Sequence, residues 1–326
     1  MKILVAPLNW GLGHATRSIP IIRHYLAQGD EVVLGGDGES ILLLKQTFPD
    51  LRVIDLPSLE LRYTLDQQQR GFYFRALWKL IRFTIADHYY LRKALAIEHF
   101  DLIISDNRFG FFSHQVRSVY ITHQLYPILP QRLRLFQPLL RAVHACIYKR
   151  YDEIWVPDYD ATDNNLSGAL SHGHRFDKKV KYIGPLSRFT FSEGISTPNP
   201  SNLKYPIVAV LSGLEPQRTL FEQELLERFR ENTTPVLIVR GKIGGPRCKT
   251  SVGSVTMIPY ISDSELLLLL LQAEKIIARS GYTTIMDLKT LDLLAKAELH
   301  PTPGQSEQEY LATHIASRCK SKQIVN

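Results

Sequence analysis

The sequence is short of cysteine and of long apolar runs. Cys146, Cys248 and Cys319 are scattered through 326 residues, odd in number and without a Cys-x-x-Cys pair. Neither a disulfide framework nor a cysteine-held zinc cluster is expected, and a reducing cytoplasm is the natural setting. The longest leucine run, Leu266–Leu271, falls far below the roughly 20 apolar residues of a membrane-spanning helix. The apolar start, Met1 to Ala6, is too short for a signal peptide and runs into a turn. With 44% hydrophobic and 22% charged residues, the chain has the balance of a globular protein able to bury a substantial core.

Charge is present but unevenly placed. The formal net charge is +7, and residues 61–150 hold 14 Lys and Arg against 5 Asp and Glu, leaving the rest slightly acidic. A confined basic region suits an anionic partner: lipid headgroups, nucleic acid or a phosphorylated substrate. Nucleic acid is disfavoured, because no binding motif accompanies the charge. Two stretches carry it. Residues 70–93, "RGFYFRALWKLIRFTIADHYYLRK", read as a helix with Phe74, Leu77, Ile81 and Ile85 in one stripe and Arg75, Lys79, Arg82, Arg92 and Lys93 supplying charge. Residues 131–151, "QRLRLFQPLLRAVHACIYKRY", form the second. The plain reading is a core helix with a solvated basic face. The sharper one is peripheral contact with an anionic membrane through 70–93 and 131–151.

Short apolar runs alternate with helical patterns, which implies βαβ units around parallel sheets. Lys2–Pro7 reads as a strand, followed by a Gly-rich turn and a helix from Arg17 to Gln28, with Pro20 fitting only in its first turn. A strand running into glycines is expected at 31–38, and further strands at 52–57, 101–106, 118–122, 153–157 and 180–184. The Pro- and Ser-rich stretch between Arg188 and Pro206 reads as a linker, after which the rhythm restarts at 206–213, 235–241, 255–261 and 275–281. Leu266–Leu271 reads as a buried helix face.

Three glycine turns between strand and helix are candidate sites. The first holds Asn9, Gly11, Gly13 and His14. A dinucleotide fingerprint would need a third glycine where Thr16 stands, so a nicotinamide site, with Asp37 on the ribose, is the weaker reading. His14 at a helix start favours its neutral form and is a candidate general base. Asp106 and His123, at strand ends, are rivals. The second turn holds Ser212, Gly213 and Gln217. The third holds Ser280, Gly281, Thr283 and Thr284, offering donors at a helix start, with Asp287 one turn on. Gln305, Glu307 and Gln308 open a last helix, where Ser306 and Glu309 also fit a capping box.

On these residues the chain resembles the GT-B glycosyltransferases, nearest to the peptidoglycan N-acetylglucosaminyltransferase (MurG) type. The resemblance covers nearly the whole chain, strongest at its ends: Gly11, Gly13 and His14 match the opening turn, and Arg279, Ser280, Gly281 and Asp287 match the donor-binding helix start. It implies an α/β protein of two Rossmann-like doubly wound domains facing across a cleft, an acceptor domain at 1–187 and a nucleotide-sugar domain at 188–326, the last helix returning to the first domain. It implies donor contacts at Arg188, Ser212, Gly213, Gln217, Tyr260, Ile261, Arg279, Ser280, Gly281, Thr283, Asp287, Gln305 and Gln308, and an acceptor side at Asn9, Gly11, Gly13, His123 and Gln124. The implied reaction moves a sugar from a UDP-hexose or UDP-N-acetylhexosamine to a lipid or saccharide hydroxyl, with inversion and no metal, in envelope polysaccharide or glycolipid synthesis. A nucleotide-sugar epimerase of the same fold is the alternative, although no secure set of sugar-facing carboxylates is visible.

The chain departs from the pattern at Ser306 and Glu307, at the reduced element Thr122-His123-Gln124, and in the apolar-poor stretch before His300, where a short strand is expected. Asp158-Tyr159-Asp160 is an Asp-x-Asp triplet, which binds metal in another glycosyltransferase fold; here it follows a strand of the first domain and is expected to be coincidental.

Overall fold

The computed structural model describes residues 1–59, 72–161, 164–173, 178–190, 204–243 and 248–324, with 72–74, 76 and 319–324 described by backbone alone. The stretch 191–203, most of the expected linker, and the side chain of Phe74 lie outside the described residues. The chain divides into two compact units, one of Met1–Trp10 and His14–Leu186 and one of Gly11–Gly13 and Ser187–Asn326.

The first unit alternates β1 (Lys2–Pro7), α1 (Gly13–Ala27), β2 (Glu31–Gly36), α2 (Gly38–Thr47), β3 (Val53–Asp55), α3 (Phe72–Ile97), β4 (Leu102–Asp106), β5 (Arg117–Ile121), α4 (Gln137–Tyr148), β6 (Glu153–Val156) and β7 (Val180–Tyr182). Its seven strands lie in the order β3-β2-β1-β4-β5-β6-β7, all parallel. Ile3, Leu4, Val5 and Ala6 are wholly buried, as a strand covered on both faces requires. The chain winds outward from β1 in one direction, then from β4 in the other. The ends of β1 and β4 are in register, Pro7 opposite Asp106, and this reversal of winding is where such sheets place ligands.

The second unit follows the same plan with β8 (Ile207–Val210), α5 (Gln217–Arg228), β9 (Val236–Val239), β10 (Thr250–Val252), β11 (Val255–Ile258), α6 (Asp263–Gln272), β12 (Lys275–Arg279), α7 (Tyr282–Thr290), β13 (Ala297–His300) and α8 (Ser306–Ile324). The order is β10-β11-β9-β8-β12-β13, parallel except for the β10–β11 hairpin. Winding reverses between β8 and β12. Leu266, Leu267 and Leu270 of α6 are buried as expected, behind a Ser262–Glu265 capping box, and β13 is short as expected.

Three sequence expectations change. Helix α1 begins at Gly13 rather than Arg17, because Gly11, at φ 69°, turns the chain into it at once; Pro20 therefore lies inside the helix. Strand β10 escaped notice, since its three residues are exposed and carry no apolar run. The stripe of Leu77, Ile81 and Ile85 on α3 faces outward. The face turned to the core carries Phe83, Asp87, Leu91 and Ala94, spaced four, four and three residues apart.

Asp87 decides that orientation. Its carboxylate and the guanidinium of Arg108, both fully buried, meet at 2.6 Å (Nη2) and 3.1 Å (Nε). Arg108 also lies over the rings of Phe83 and Phe111 and donates to the Pro57 carbonyl. Burial pushes the Asp87 carboxyl up to about 6, against the pull of Arg108. Gly110 lets α3 come close: a Cβ there would stand 1.9 Å from the Thr84 carbonyl oxygen. Removing one partner of a buried pair strands the other charge. Asp87→Ala should therefore cost about 3–5 kcal/mol of unfolding free energy, and Asp87→Leu with Arg108→Met should recover most of it, as read by urea denaturation.

Candidate functional site

In the first unit, the residues at the reversal of winding form a charged array. His14, in the first turn of α1, sets Nδ1 3.0 Å from Asp106 Oδ1 at the end of β4. Arg17, one turn along the same helix, donates from Nε to Asp106 Oδ2 at 2.7 Å and from Nη2 to Oδ1. Its Nη1 lies 3.3 Å from His123 Nδ1. Asp106 is 1% exposed and Arg17 2%, while the His14 side chain keeps 14% of its surface.

Both Asp106 Oδ1 and Arg17 Nη2 (2.8 Å) approach His14 Nδ1. Burial alone would raise the Asp106 pKa, but the charge of Arg17 and the bonds from Arg17 and His14 hold it well below the usual carboxylate range. Asp106 is therefore ionised, and a bare Nδ1 would set a lone pair against it. A proton on Nδ1 satisfies Asp106 Oδ1, whereas Arg17 Nη2, which can only donate, requires a bare Nδ1, so the two contacts favour opposite tautomers. Burial, then the charge of Arg17, lowers the His14 pKa below its ordinary 6.5, with Asp106 pulling the other way. The imidazole is thus neutral and able to take a proton at neutral pH.

This corrects the place of Asp106. Both its oxygens are engaged and its charge is locked in, so it orients His14 instead of competing with it as a base. His123 is buried behind Arg17, and Gln124 stands beside it, Nε2 3.4 Å from His123 Nε2. Asn9 ties the end of β1 to α2, donating to Asp37 Oδ2 and accepting from Ser40, while Asp37 Oδ1 is buried without a hydrogen-bond partner, 3.9 Å from Arg108 Nη1. Sequence reading missed Arg17, although its spacing of three from His14 puts both on one helix face. It also missed Asn107, held at φ 58° directly after Asp106 with its side chain accepting from the Tyr120 hydroxyl. Asp158 is buried and accepts from the amides of Tyr159, Leu166 and Ser167, so it organises its own loop. Among the described residues, no three His, Cys, Asp or Glu side chains gather to hold a metal ion.

In the second unit, helices α5 and α7 start on either side of the β8–β12 reversal. Gly213, at φ 95°, and Gly281 precede them, and a Cβ built on either would meet nothing within 4 Å. The first-turn amides of a helix have no acceptor within it, and they attract anions; at α5, however, the amides of Arg218, Thr219 and Leu220 donate to the Leu214 carbonyl, Glu215 Oε2 and the Pro216 carbonyl. Ser212, Gln217 and Thr283 are half-buried beside these turns, and Tyr260 and Ile261 follow β11.

Several expected donor contacts turn inward instead. Arg279 is buried, its guanidinium 3.9 Å from the centre of the Phe221 ring and bonded to the carbonyls of Pro301 and Gln217. Ser280 Oγ is buried on the Gln308 carbonyl. Asp287 accepts from Ser187 Oγ at 2.6 Å and from Arg188 Nε at 3.2 Å, and Arg188 also pairs with Asp263 at 2.9 Å. The Gln308 amide accepts from Thr302 N and donates to Gln305 Oε1. These hydrogen bonds brace the loops around the helix starts. If Arg17 sets the titration of His14, an NMR titration should find the wild-type imidazole protonating below pH 6.5, and Arg17→Met should move its midpoint upward.

No protein-family model matches the chain. It is 24% identical over 334 residues to an uncharacterized glycosyltransferase of Methanosarcina mazei, across 97% of this chain and 83% of the relative. Among solved structures it is similar to the calicheamicin glycosyltransferase CalG4, with TM-score 0.56 and 14% identity over 99% of this chain and 92% of that one. It is similar also to Phytolacca americana UGT2 in complex with UDP-2-fluoro-glucose and pterostilbene, with TM-score 0.59 and 13% identity over 97% and 83%. A protein assigned as a UDP-N-acetylglucosamine 2-epimerase, from Listeria monocytogenes, shares the fold at TM-score 0.55 and 13% identity over 99% and 89%. With this fold and this full-length likeness, the protein is an enzyme of the glycosyltransferase class built on the GT-B fold.

Proposed function

We propose that the enzyme transfers a sugar from a nucleotide-diphosphate donor, a UDP-hexose or UDP-N-acetylhexosamine, to the hydroxyl of a lipid or saccharide, with inversion and without a metal ion. The observation that carries this reading is the His14–Asp106–Arg17 array, which holds a neutral imidazole against an ionised carboxylate; the reading takes the imidazole proton to lie on Nδ1 and Nε2 to be the base. In the proposed step, His14 Nε2 takes the proton of the acceptor hydroxyl as its oxygen attacks the anomeric carbon from the face opposite the leaving group. The bond from that carbon to the diphosphate oxygen breaks, and the diphosphate departs with the electron pair. Asp106 steadies the imidazolium that forms. The start of α7 with Gly281 and Thr283, and the Ser212–Gly213 turn with Gln217, would bind the diphosphate, with Tyr260 and Ile261 at the base. Arg188, Arg279, Ser280, Asp287 and Gln308 serve in this reading as the frame that holds those loops.

The epimerase reading is supported by the shared fold of the Listeria protein, but the chemistry would need carboxylates at the sugar. Asp263 and Asp287 are both committed to Arg188. A nicotinamide site is opposed by Thr16 in place of the third glycine and by the tie between Asp37 and Asn9.

A ligand that binds only the folded state raises its apparent stability. In thermal melts with UDP, GDP, TDP, CMP and NAD, UDP alone should raise the midpoint, equally with Mg²⁺ or a chelator. A shift with NAD and none with the diphosphates would overturn the reading. His14→Ala should keep the UDP shift and lose about 10²–10⁴-fold in transfer rate. Because His14 is active when neutral, kcat/KM should be level above pH 6.5 and fall as pH drops through its lowered pKa.

A further inference from the structure

Strand β4 runs out into three consecutive residues whose side chains go three different ways. Asp106 meets Arg17 and His14 of α1. Asn107 accepts from the Tyr120 hydroxyl of β5 at 3.0 Å. Arg108 pairs with Asp87 of α3 and reaches the carbonyls of Pro57, at 2.9 Å, and Pro7, at 3.4 Å. Two buried guanidinium–carboxylate pairs thus depend on residues only two apart in the chain.

Strand geometry would not keep those pairs separate. Successive side chains of a strand alternate between faces, so residues i and i+2 share one. Ile103 packs with Leu91 of α3 in a core cluster that includes Leu4 and Ala6 of β1. Asp106, three residues on, faces the other way and meets α1. A straight continuation of β4 would put Arg108 on the Asp106 face, where its guanidinium would compete with Arg17 for the same carboxylate. Arg108 lies instead on the α3 side, over the rings of Phe83 and Phe111.

Asn107 makes the difference. Its φ of 58° is in the left-handed region, which asparagine tolerates better than most residues with a side chain. That conformation is tied down on both sides. The Asn107 N–H donates to the Ile121 carbonyl at 3.3 Å, and the Tyr120 hydroxyl holds the side chain. Tyr120 is 1% exposed, and its hydroxyl has no other hydrogen bond among the described residues. Burial, then the neighbouring Tyr148, Tyr151 and Asp106, push that hydroxyl well above the ordinary tyrosine value, so it stays a donor. Beyond the turn, the Arg108 carbonyl accepts from Ser105 Oγ at 2.7 Å and from the Tyr151 hydroxyl at 2.8 Å. A glycine would supply the turn unaided; an asparagine bound to a buried hydroxyl fixes it.

We propose that Asn107 is a positioning residue: its left-handed turn, clamped by Tyr120, sends Arg108 to α3 and so reserves Asp106 for Arg17 and His14. Its bearing on catalysis rests on the reading of His14 as the base; the separation of the two charge pairs does not.

The test is an NMR titration of the His14 imidazole in the full-length protein, the signal being assigned by its loss in His14→Ala. Valine disfavours a left-handed backbone, whereas glycine adopts one freely. In Asn107→Val, Arg108 is released toward Asp106, and the upward pull of that carboxylate on His14 is weakened. The His14 midpoint should then fall below the wild-type value by about half a pH unit or more. Asn107→Gly should keep the wild-type midpoint, because the turn no longer needs its clamp. Tyr120→Phe leaves Asn107 strained and unclamped, should move the midpoint the same way by a smaller amount, and carries the test if Asn107→Val does not fold. A midpoint unchanged or raised in folded Asn107→Val, or in Tyr120→Phe, would overturn the proposal. So would an Asn107→Gly shift as large as that of Asn107→Val, since the side-chain bond and not the turn would then be what matters. Absence of the UDP response in the wild type, with the midpoints as expected, would instead sink the nucleotide-sugar reading and leave the role of Asn107 standing.

Discussion

The guanidinium of Arg17 is the charge on which the first unit's site rests. Asp106 is almost completely enclosed, and an enclosed carboxylate without a counter-charge takes up a proton or draws one onto a neighbour. With Arg17 bound to both oxygens, the carboxylate stays ionised without converting His14 to its cation. The imidazole is then held by a charge it does not have to neutralise. Its orientation comes from Asp106 and its neutrality from burial and then the charge of Arg17, and these groups meet because α1 begins a short turn after β1.

The two units reach their sites by the same winding but arm them differently. In the first, the reversal of winding gathers side chains: an imidazole, a carboxylate and a guanidinium brought together from α1 and β4. In the second, the prominent side chains are consumed as struts. Arg188 joins Asp263 to Asp287, and Arg279 is clamped between Phe221 and the Pro301 carbonyl. Arg188, paired with two carboxylates, is not available to follow a ligand, whereas Arg279 has no carboxylate beside it and its buried Nε has no hydrogen-bond partner. What remains at the reversal of the second sheet is backbone, the Ser212–Gly213 turn and the start of α7.

Much of this was legible in the residues. The strand–glycine–helix rhythm marks both sheets, and the three glycine turns lie at helix starts where the spacing puts them. The direction of side chains was not legible. Asp287 looks like a ribose contact from its place one turn into a helix, yet its partner Ser187 is 100 residues away in the chain. Arg279 seems poised over an anion site until Phe221, from another helix, is seen beneath it. The period of α3 was read correctly, but which side faces the core depends on Arg108, and no pattern within the helix reveals that partner. The turn at Gly11, set locally, could be found; contacts set by distant partners, such as that of His14 with Asp106, could not.

The union of Asp87 and Arg108 has a consequence for how this protein can change over time. Because α3 is anchored by charge and by Phe83, Leu91 and Ala94, its opposite side contributes little to holding the fold. Substitutions there are separated from the stability that constrains the rest of the helix. The surface of α3 can therefore be rewritten, in polarity or in sign, to suit a new environment while the catalytic end of the sheet stays where it is. One helix thus carries two independent histories, a conservative inner side and an adaptable outer one.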